Sequence, residues 1–392
     1  MENIKRLIQA KIEAKLNKGK VIVLYGPRQV GKTMLAKEIL KKLGSIKGYF
    51  NCEEAFVKEI LLSMDSGRMF NYFSGNEIIV LDEAQSVSGI GKAIKILFDA
   101  HPELNIIATG SSSFELANVV KEPLTGRKYE FFLPPVSFEE IKNNFGNAAA
   151  IESIENSLIY GSYPEIVTSA NNEEKLEKLR LLATSYLYKD VLNYNRIKNP
   201  DLLMKILKAL ALQVGNEVSP NEIANSIQID RKTVLSYLSL LEQAFVIFRL
   251  PPFVKNRRDE IKKMSKYYFH DNGIMNALTN NFLPLENRKD TGALWENYLV
   301  SERRKFNEHH GLKPSSYFWR THSGNEIDLI EELNDELVPF EFKYNSEKFA
   351  RGANSFVESY GSKDILVVNK NNAFEWLGGL DKHYPQNASI NT

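Results

Sequence analysis

Val21–Thr33 reads VIVLYGPRQVGKT, and this stretch decides the fold. Four apolar residues lead to Tyr25, followed by Gly26, Pro27, Arg28, Gln29, Val30, Gly31, Lys32 and Thr33, the pattern G-x-x-x-x-G-K-[ST]. An apolar strand over Val21–Leu24 enters the pattern. An amphipathic helix from Met34 to about Leu43 leaves it, with Leu35, Ile39 and Leu43 on one face. The spacing suits a phosphate loop. Glycines let the backbone wrap so that N–H groups face a phosphate chain, and the helix N-terminus adds partial positive charge. Lys32 then reaches the β and γ phosphates, and the Thr33 hydroxyl ligates Mg²⁺. Residues 26–33 are thus the candidate site for a nucleoside triphosphate.

The partner motif follows some fifty residues on. Ile78–Leu81 is a continuous apolar run, as expected of a strand buried on both faces of a parallel sheet, and it ends in Asp82, Glu83, Ala84 and Gln85. Carboxylates at the C-terminal end of such a strand lie where open α/β sheets bind ligands. In this Walker B form Asp82 holds Mg²⁺ and Glu83 polarises the attacking water. A solvated acidic pair capping the next helix is the alternative. A further apolar strand, Asn105–Gly110, runs into Ser111, Ser112 and Ser113. Thr109 and Ser111 are candidates to contact the γ-phosphate or the water; serines capping a helix over 114–120 are an equal alternative.

Composition sets the bounds. A chain of 392 residues exceeds one ordinary core and implies several domains. Its 43% hydrophobic and 25% charged content is that of a globular protein. Cys52, the single cysteine, excludes an internal disulfide framework and a four-thiolate zinc site. None of the six histidines has metal-ligand spacing. No apolar run reaches the ~20 residues of a membrane helix, so a cytoplasmic protein without membrane contact is expected. Net charge is +1, which leaves nucleic acid open because local patches cancel. Residues 1–20 read as an amphipathic helix without chemistry.

Residues 151–195 carry helical patterns, and Pro200 marks a boundary. Leu202–Val214 reads as a helix, Ser219 and Pro220 start a second, and Thr233–Ala244 forms a third, followed by a strand over Phe245–Leu250. The basic segment Lys255–Lys266 continues it as a hairpin. The order suggests a winged helix-turn-helix. Residues 196–270 hold thirteen Lys and Arg against seven Asp and Glu, a local balance of +6. DNA contact and a protein-contact surface are both open readings of this module.

From about Asp290 the pattern returns to α/β. A helix over Leu294–Phe306 contains Glu296, and strands follow at Tyr317–Arg320, Glu326–Glu331 and Leu337–Tyr344. Asp328 on one strand and Glu341-x-Lys343 on the next resemble the core of restriction-endonuclease-like nucleases, with Glu296 as an extra ligand. Two carboxylates can hold a divalent metal at a scissile phosphate while Lys343 positions water. A salt-bridged strand pair in an inactive fold is the alternative.

Taken with the phosphate loop and Asp82–Glu83, four more stretches resemble one family. They are Leu124–Phe138, Tyr160–Glu165 (YGSYPE), and Tyr268–Gly273 (YFHDNG) with Gly292–Asn297 (GALWEN). The chain is similar to the prokaryotic AAA-type ATPases that carry a C-terminal domain of unknown function. The resemblance implies an α/β fold. Its parts are a P-loop AAA-type parallel sheet (1–150), a helical lid (151–200), a winged helix-turn-helix (201–285) and a restriction-endonuclease-like α/β domain (286–392). It implies Mg²⁺-dependent ATP hydrolysis, with ATP preferred over GTP, and makes Arg127 a candidate γ-phosphate arginine beside Lys32 and Glu83. An ordinary surface arginine is the other reading. Hydrolysis would drive an effector acting on DNA or a protein partner. The rivals are a nucleotide-switched regulator with little turnover and an ATPase-linked nuclease.

Overall fold

The computed structural model describes residues 4–111, 124–192, 199–254, 264–321, 323–346 and 353–379, without the side chains of 184–192. Ser112, Ser113, the helix expected over 114–120, and Arg257 and Arg258 of the basic segment lie outside the described residues. The chain forms two compact units. One comprises Asn3–Pro135 with Gln243–Phe245, and the other Val136–Glu242 with Val246–Thr392.

The first unit is built on five strands: β1 (Val21–Tyr25), β2 (Tyr49–Asn51), β3 (Ile78–Asp82), β4 (Asn105–Gly110) and β5 (Lys128–Phe132). Their order is β2-β3-β4-β1-β5, all parallel. Parallel strands need helical crossovers, which cover both faces and explain the unbroken apolar runs of β1 and β3. Helices α1 (Ile8–Lys15), α2 (Lys32–Lys42), α3 (Ala55–Leu62), α4 (Ser66–Phe73) and α5 (Ile90–Ala100) pack around it. Val21, Val23, Ile79, Leu81, Ile106 and Ala108 meet Ile60, Phe73, Ile94 and Leu97 in one core. Because β4 separates β1 from β3, the phosphate loop and the Asp82–Glu83 pair flank the end of β4.

The compact units divide at Val136. Residue 150 lies inside α6 (Phe138–Tyr160), which starts at a capping box between Ser137 and Glu140 and bends at Gly146. The second unit continues with α7 (Pro164–Val167), α8 (Asn172–Leu192), α9 (Pro200–Ala211), α10 (Pro220–Ile227) and α11 (Arg231–Gln243). A three-stranded antiparallel sheet follows, in the order β6 (Glu217–Val218), β8 (Ser265–Phe269), β7 (Ile247–Leu250).

Helix α12 (Asn272–Thr279) and the long α13 (Thr291–His310) lead to a second sheet in the order β12-β11-β10-β9. It comprises β9 (Ser315–Arg320), β10 (Glu326–Leu333), β11 (Glu336–Phe342) and β12 (Leu366–Val368). β9, β10 and β11 are antiparallel, and β12 joins β11 in parallel after α14 (Asn354–Tyr360). The β10–β11 hairpin turns at Asn334 and Asp335, both left-handed (φ 52 and 64), as a tight two-residue connection requires.

Three of the stretches that carry the resemblance meet inside the second unit. Asp271 caps α12 by accepting from Ile274 N (3.1 Å) and also accepts from Ser162 N (2.6 Å). Asn297 exchanges bonds with the Phe269 backbone (2.7 and 3.1 Å) and donates to Asn272 Oδ1 (2.7 Å). A Cβ on Gly161 would stand 2.0 Å from Asp271 Oδ1, so only glycine fits there. These residues tie α6, α12 and α13 together, a structural role.

Candidate functional site

The phosphate loop follows β1 and turns through two left-handed residues, Gln29 (φ 59) and Gly31 (φ 94), before α2 begins at Lys32. Gly31 has no atom within 4 Å of a built Cβ, so its need for glycine is conformational. Gly26 is held differently: a Cβ there would lie 2.2 Å from the Leu133 carbonyl oxygen. Arg6, buried in the segment that reads as inert, donates to Val30 O (2.7 Å) and Pro134 O (2.6 Å) and pins the loop from behind.

Lys32 is 5% exposed, and its ammonium donates back to Gly26 O (2.9 Å) and Pro27 O (2.8 Å). Asp82 is 3% exposed and gathers three hydroxyls. Thr33 Oγ1 (2.8 Å) and Tyr49 OH (2.7 Å) donate to its Oδ2, and Thr109 Oγ1 donates to its Oδ1. Burial first, and then the bond to Asp82, hold the Tyr49 phenol well above its ordinary range, so it stays a donor. Burial likewise pushes the Cys52 thiol up to about 12, with Asp82 adding to the effect.

Glu83 sits in the left-handed region (φ 50, ψ 44), a conformation that costs a non-glycine residue ~1 kcal/mol and concentrates at functional sites. Its backbone N–H donates to Thr109 Oγ1 (3.3 Å). Gln85 Nε2 donates to Glu83 Oε2 and to Ser111 Oγ (3.3 Å). Burial raises the Glu83 pKa, an effect that Lys32 and the Gln85 bond partly offset. The structure thus brings Lys32, Thr33, Asp82, Glu83, Thr109 and Ser111 to one edge of the sheet. Arg28, half-buried, and Gln29, exposed, lie in the loop itself. The donor set fits a Mg²⁺–triphosphate: a lysine curled onto loop carbonyls, with a hydroxyl and a carboxylate already paired.

Arg127 is a correction. Its carbonyl accepts from Val21 N (2.9 Å), at the start of β1, whereas the phosphate loop follows the end of that strand. Its side chain, 44% exposed, pairs with Asp99 near the C-terminus of α5 (2.8 Å). The length of the sheet separates it from the chain's own phosphate loop. Sequence reasoning also passed over Tyr49, Gln85 and Arg6; the Asp-Glu-Ala-Gln run was the one available signal, for Gln85.

The C-terminal set converges, but on ammonium groups. Lys343 Nζ lies 2.7 Å from Glu341 Oε1 and 3.8 Å from Asp328 Oδ2, which also accepts from Phe342 N (2.8 Å). Lys266, on β8, enters the same cluster at 3.0 Å from Glu296, 2.6 Å from Glu326 and 3.9 Å from Asp328. Tyr268 OH donates to Glu296 Oε1 (2.6 Å). Burial pushes Glu296 up to about 7 despite Lys266, and burial together with Asp328 pushes Glu341 up to about 7. Among the described residues no three His, Cys, Asp or Glu side chains are arranged to hold a metal ion. Glu296, Asp328, Glu341 and Lys343, expected as a metal-dependent nuclease site, thus come together in one cluster with Lys266. The Lys266 ammonium lies among Glu296, Glu326 and Asp328, and the Lys343 ammonium beside Glu341.

Comparison with known proteins bears on the first unit. Residues 18–142 match the family model described as "AAA domain". With the five-stranded parallel sheet and its loop, this match supports an AAA-type ATPase fold and nucleotide binding in that part of the chain. Residues 151–285 and 291–385 each match a domain of unknown function (DUF8612 and DUF4143). An uncharacterized protein of Mycobacterium tuberculosis is 27% identical over 343 residues, covering 86% of this chain and 73% of that one. Another, from Methanocaldococcus jannaschii, is 27% identical over 390 residues, covering 93% and 84%. Among solved structures, Cdc6p from Pyrobaculum aerophilum aligns at 12% identity with a TM-score of 0.28, covering 71% of this chain and 94% of that one. Likeness of that size says nothing about shared activity. Among the described residues no helix is long and apolar enough to cross a membrane.

Proposed function

We propose that the chain is a Mg²⁺-dependent ATPase whose first unit binds and hydrolyses ATP. The observation that carries this is the convergence of Lys32, Thr33, Asp82 and Glu83 at the end of β4, between the two strands that deliver them. Bound Mg²⁺–ATP supplies the phosphoryl group and part of its charge neutralisation. Lys32, released from the Gly26 and Pro27 carbonyls, binds phosphate oxygens. Thr33 and Asp82 hold the metal, with Tyr49 and Thr109 fixing the Asp82 carboxylate. Glu83 orients water and accepts its proton, while Gln85 and Ser111 set the side chain's direction. Glu83→Gln tests this assignment. ATP should still bind, and turnover should fall about 10²-fold or more. Wild-type turnover in that variant would assign the water to another residue.

The bond from Gln85 to Glu83 supports a second reading, a nucleotide-switched regulator, because a carboxylate engaged by an amide is a weaker base. On that reading wild-type turnover is slow and partner binding depends on ATP.

We also read α9–α11 with the β6-β8-β7 sheet as a winged helix; the helix order and the placing of the last strand between the other two support it. Arg231 and Lys232 are exposed at the start of its third helix, which favours contact with DNA phosphates. The helix–three strands–helix–strand order of the C-terminal part supports a restriction-endonuclease-like fold used for recognition. Both readings are tested by DNA binding at varied salt.

A further inference from the structure

Lys266 ends the segment that reads as a basic hairpin, yet its side chain is 0% exposed. It sits on the central strand of the three-stranded sheet, opposite Glu217 on β6 and Leu250 on β7. Its ammonium enters a cluster assembled from elsewhere in the second unit: Glu296 on α13, and Glu326 and Asp328 on β10. The Phe318 ring covers it, 5.4 Å from the nitrogen. We infer that Glu296, Glu326 and Asp328 carry their own cation, the Lys266 ammonium, and so hold no divalent metal between them.

The geometry and the chemistry agree. A divalent cation held by carboxylates needs their oxygens within ~2.0–2.6 Å of one point and about six ligands in all. The point shared by Glu296, Glu326 and Asp328 is taken by a nitrogen at hydrogen-bond distance from two of them. A second positive centre there would stand a few ångströms from a fully buried ammonium, where repulsion is weakly screened. Glu341 Oε2, on a residue 2% exposed, has no hydrogen-bond partner, so one oxygen in the cluster is ready to accept a ligand once a cation can enter. Lys266 also ties the three-stranded sheet to the four-stranded one, a link reinforced where Phe253 N donates to Phe318 O (2.6 Å). The cluster works as a lock between two sheets of one unit.

The test is Mn²⁺ binding to the full-length, nucleotide-free chain, followed by electron paramagnetic resonance and calorimetry. Wild type should show no bound Mn²⁺ that Asp328→Asn removes, at concentrations up to about a millimolar. Lys266→Ala, which opens the space, and Lys266→Met, which keeps the buried stem and guards the fold, should each gain one Mn²⁺ per chain that a second Asp328→Asn change abolishes. Mn²⁺ on wild type that is lost with Asp328→Asn would show that the ammonium yields to metal and would overturn the inference. Folded Lys266 variants that still take up no Mn²⁺ would overturn it as well, because the lysine would not be what excludes the metal. If neither variant folds, the wild-type measurement alone decides. None of these readouts depends on ATP hydrolysis, so failure here leaves the ATPase reading standing, and the reverse holds too.

Discussion

Replacing Gly26 by alanine separates the architecture of the phosphate loop from its chemistry. The new Cβ would stand 2.2 Å from the Leu133 carbonyl oxygen and 3.1 Å from its carbon, both backbone atoms that no side-chain rotation can move. Relief needs about 1 Å of displacement between the end of β1 and the chain after β5. That displacement strains the bond from Leu133 N to Tyr25 O (2.8 Å), worth ~1 kcal/mol. Overpacking of a closed contact adds ~1–3 kcal/mol. The sum, about 2–4 kcal/mol, lowers the melting temperature of a unit of this size by roughly 5–15 °C. Gly31→Ala meets no atom within 4 Å and carries only the cost of its left-handed backbone (φ 94), ~1 kcal/mol or a few degrees. Calorimetry without nucleotide reads both, following the transition that added ATP shifts. Gly26→Ala melting at or above Gly31→Ala would refute the reasoning.

Two further outcomes follow from the second unit. If the winged helix contacts DNA, binding falls steeply with salt, about one unit of log–log slope for each phosphate neutralised, and charge reversal at Arg231 and Lys232 lowers that slope. Salt-independent binding, or none on any duplex, makes the module a protein-contact surface. Glu296 titrates at about 7 in the fold against an ordinary value of 4.5. The fold therefore prefers its protonated form, and this contribution to stability is present below pH 4.5 and lost as pH rises to 7. Glu296→Gln should remove that loss, so its stability relative to wild type improves across the window; a pH-independent difference contradicts the assignment.

How much of this was legible before the structure depends on whether a residue's partners lie nearby in sequence. β1, the loop and α2 are contiguous, and β3 with Asp82 and Glu83 shows its burial through an unbroken apolar run. Both sit where their sequence places them. β5 reads Lys-Tyr-Glu-Phe-Phe and lies half-buried at the sheet edge, so neither alternation nor an apolar run marks it. Arg127, a γ-phosphate candidate by resemblance alone, precedes β5, and parallel pairing with β1 sets it at the opposite end from the phosphate loop. Tyr49 carries no motif, and its role appears only when β2 pairs with β3. Lys266 misleads most: a lysine ending a basic run looks solvated, and the carboxylates that bury it come from a helix and a strand far along the chain.

The central claim is that the loop around Lys32 binds a nucleoside triphosphate, and equilibrium ATP binding to wild type and Lys32→Ala tests it most directly. Removing the ammonium takes away the loop's own charged contact to the phosphates and should weaken ATP binding a hundredfold or more, about 2.8 kcal/mol, while leaving the nucleotide-free fold intact. Equal affinity of the two proteins for ATP would contradict the account.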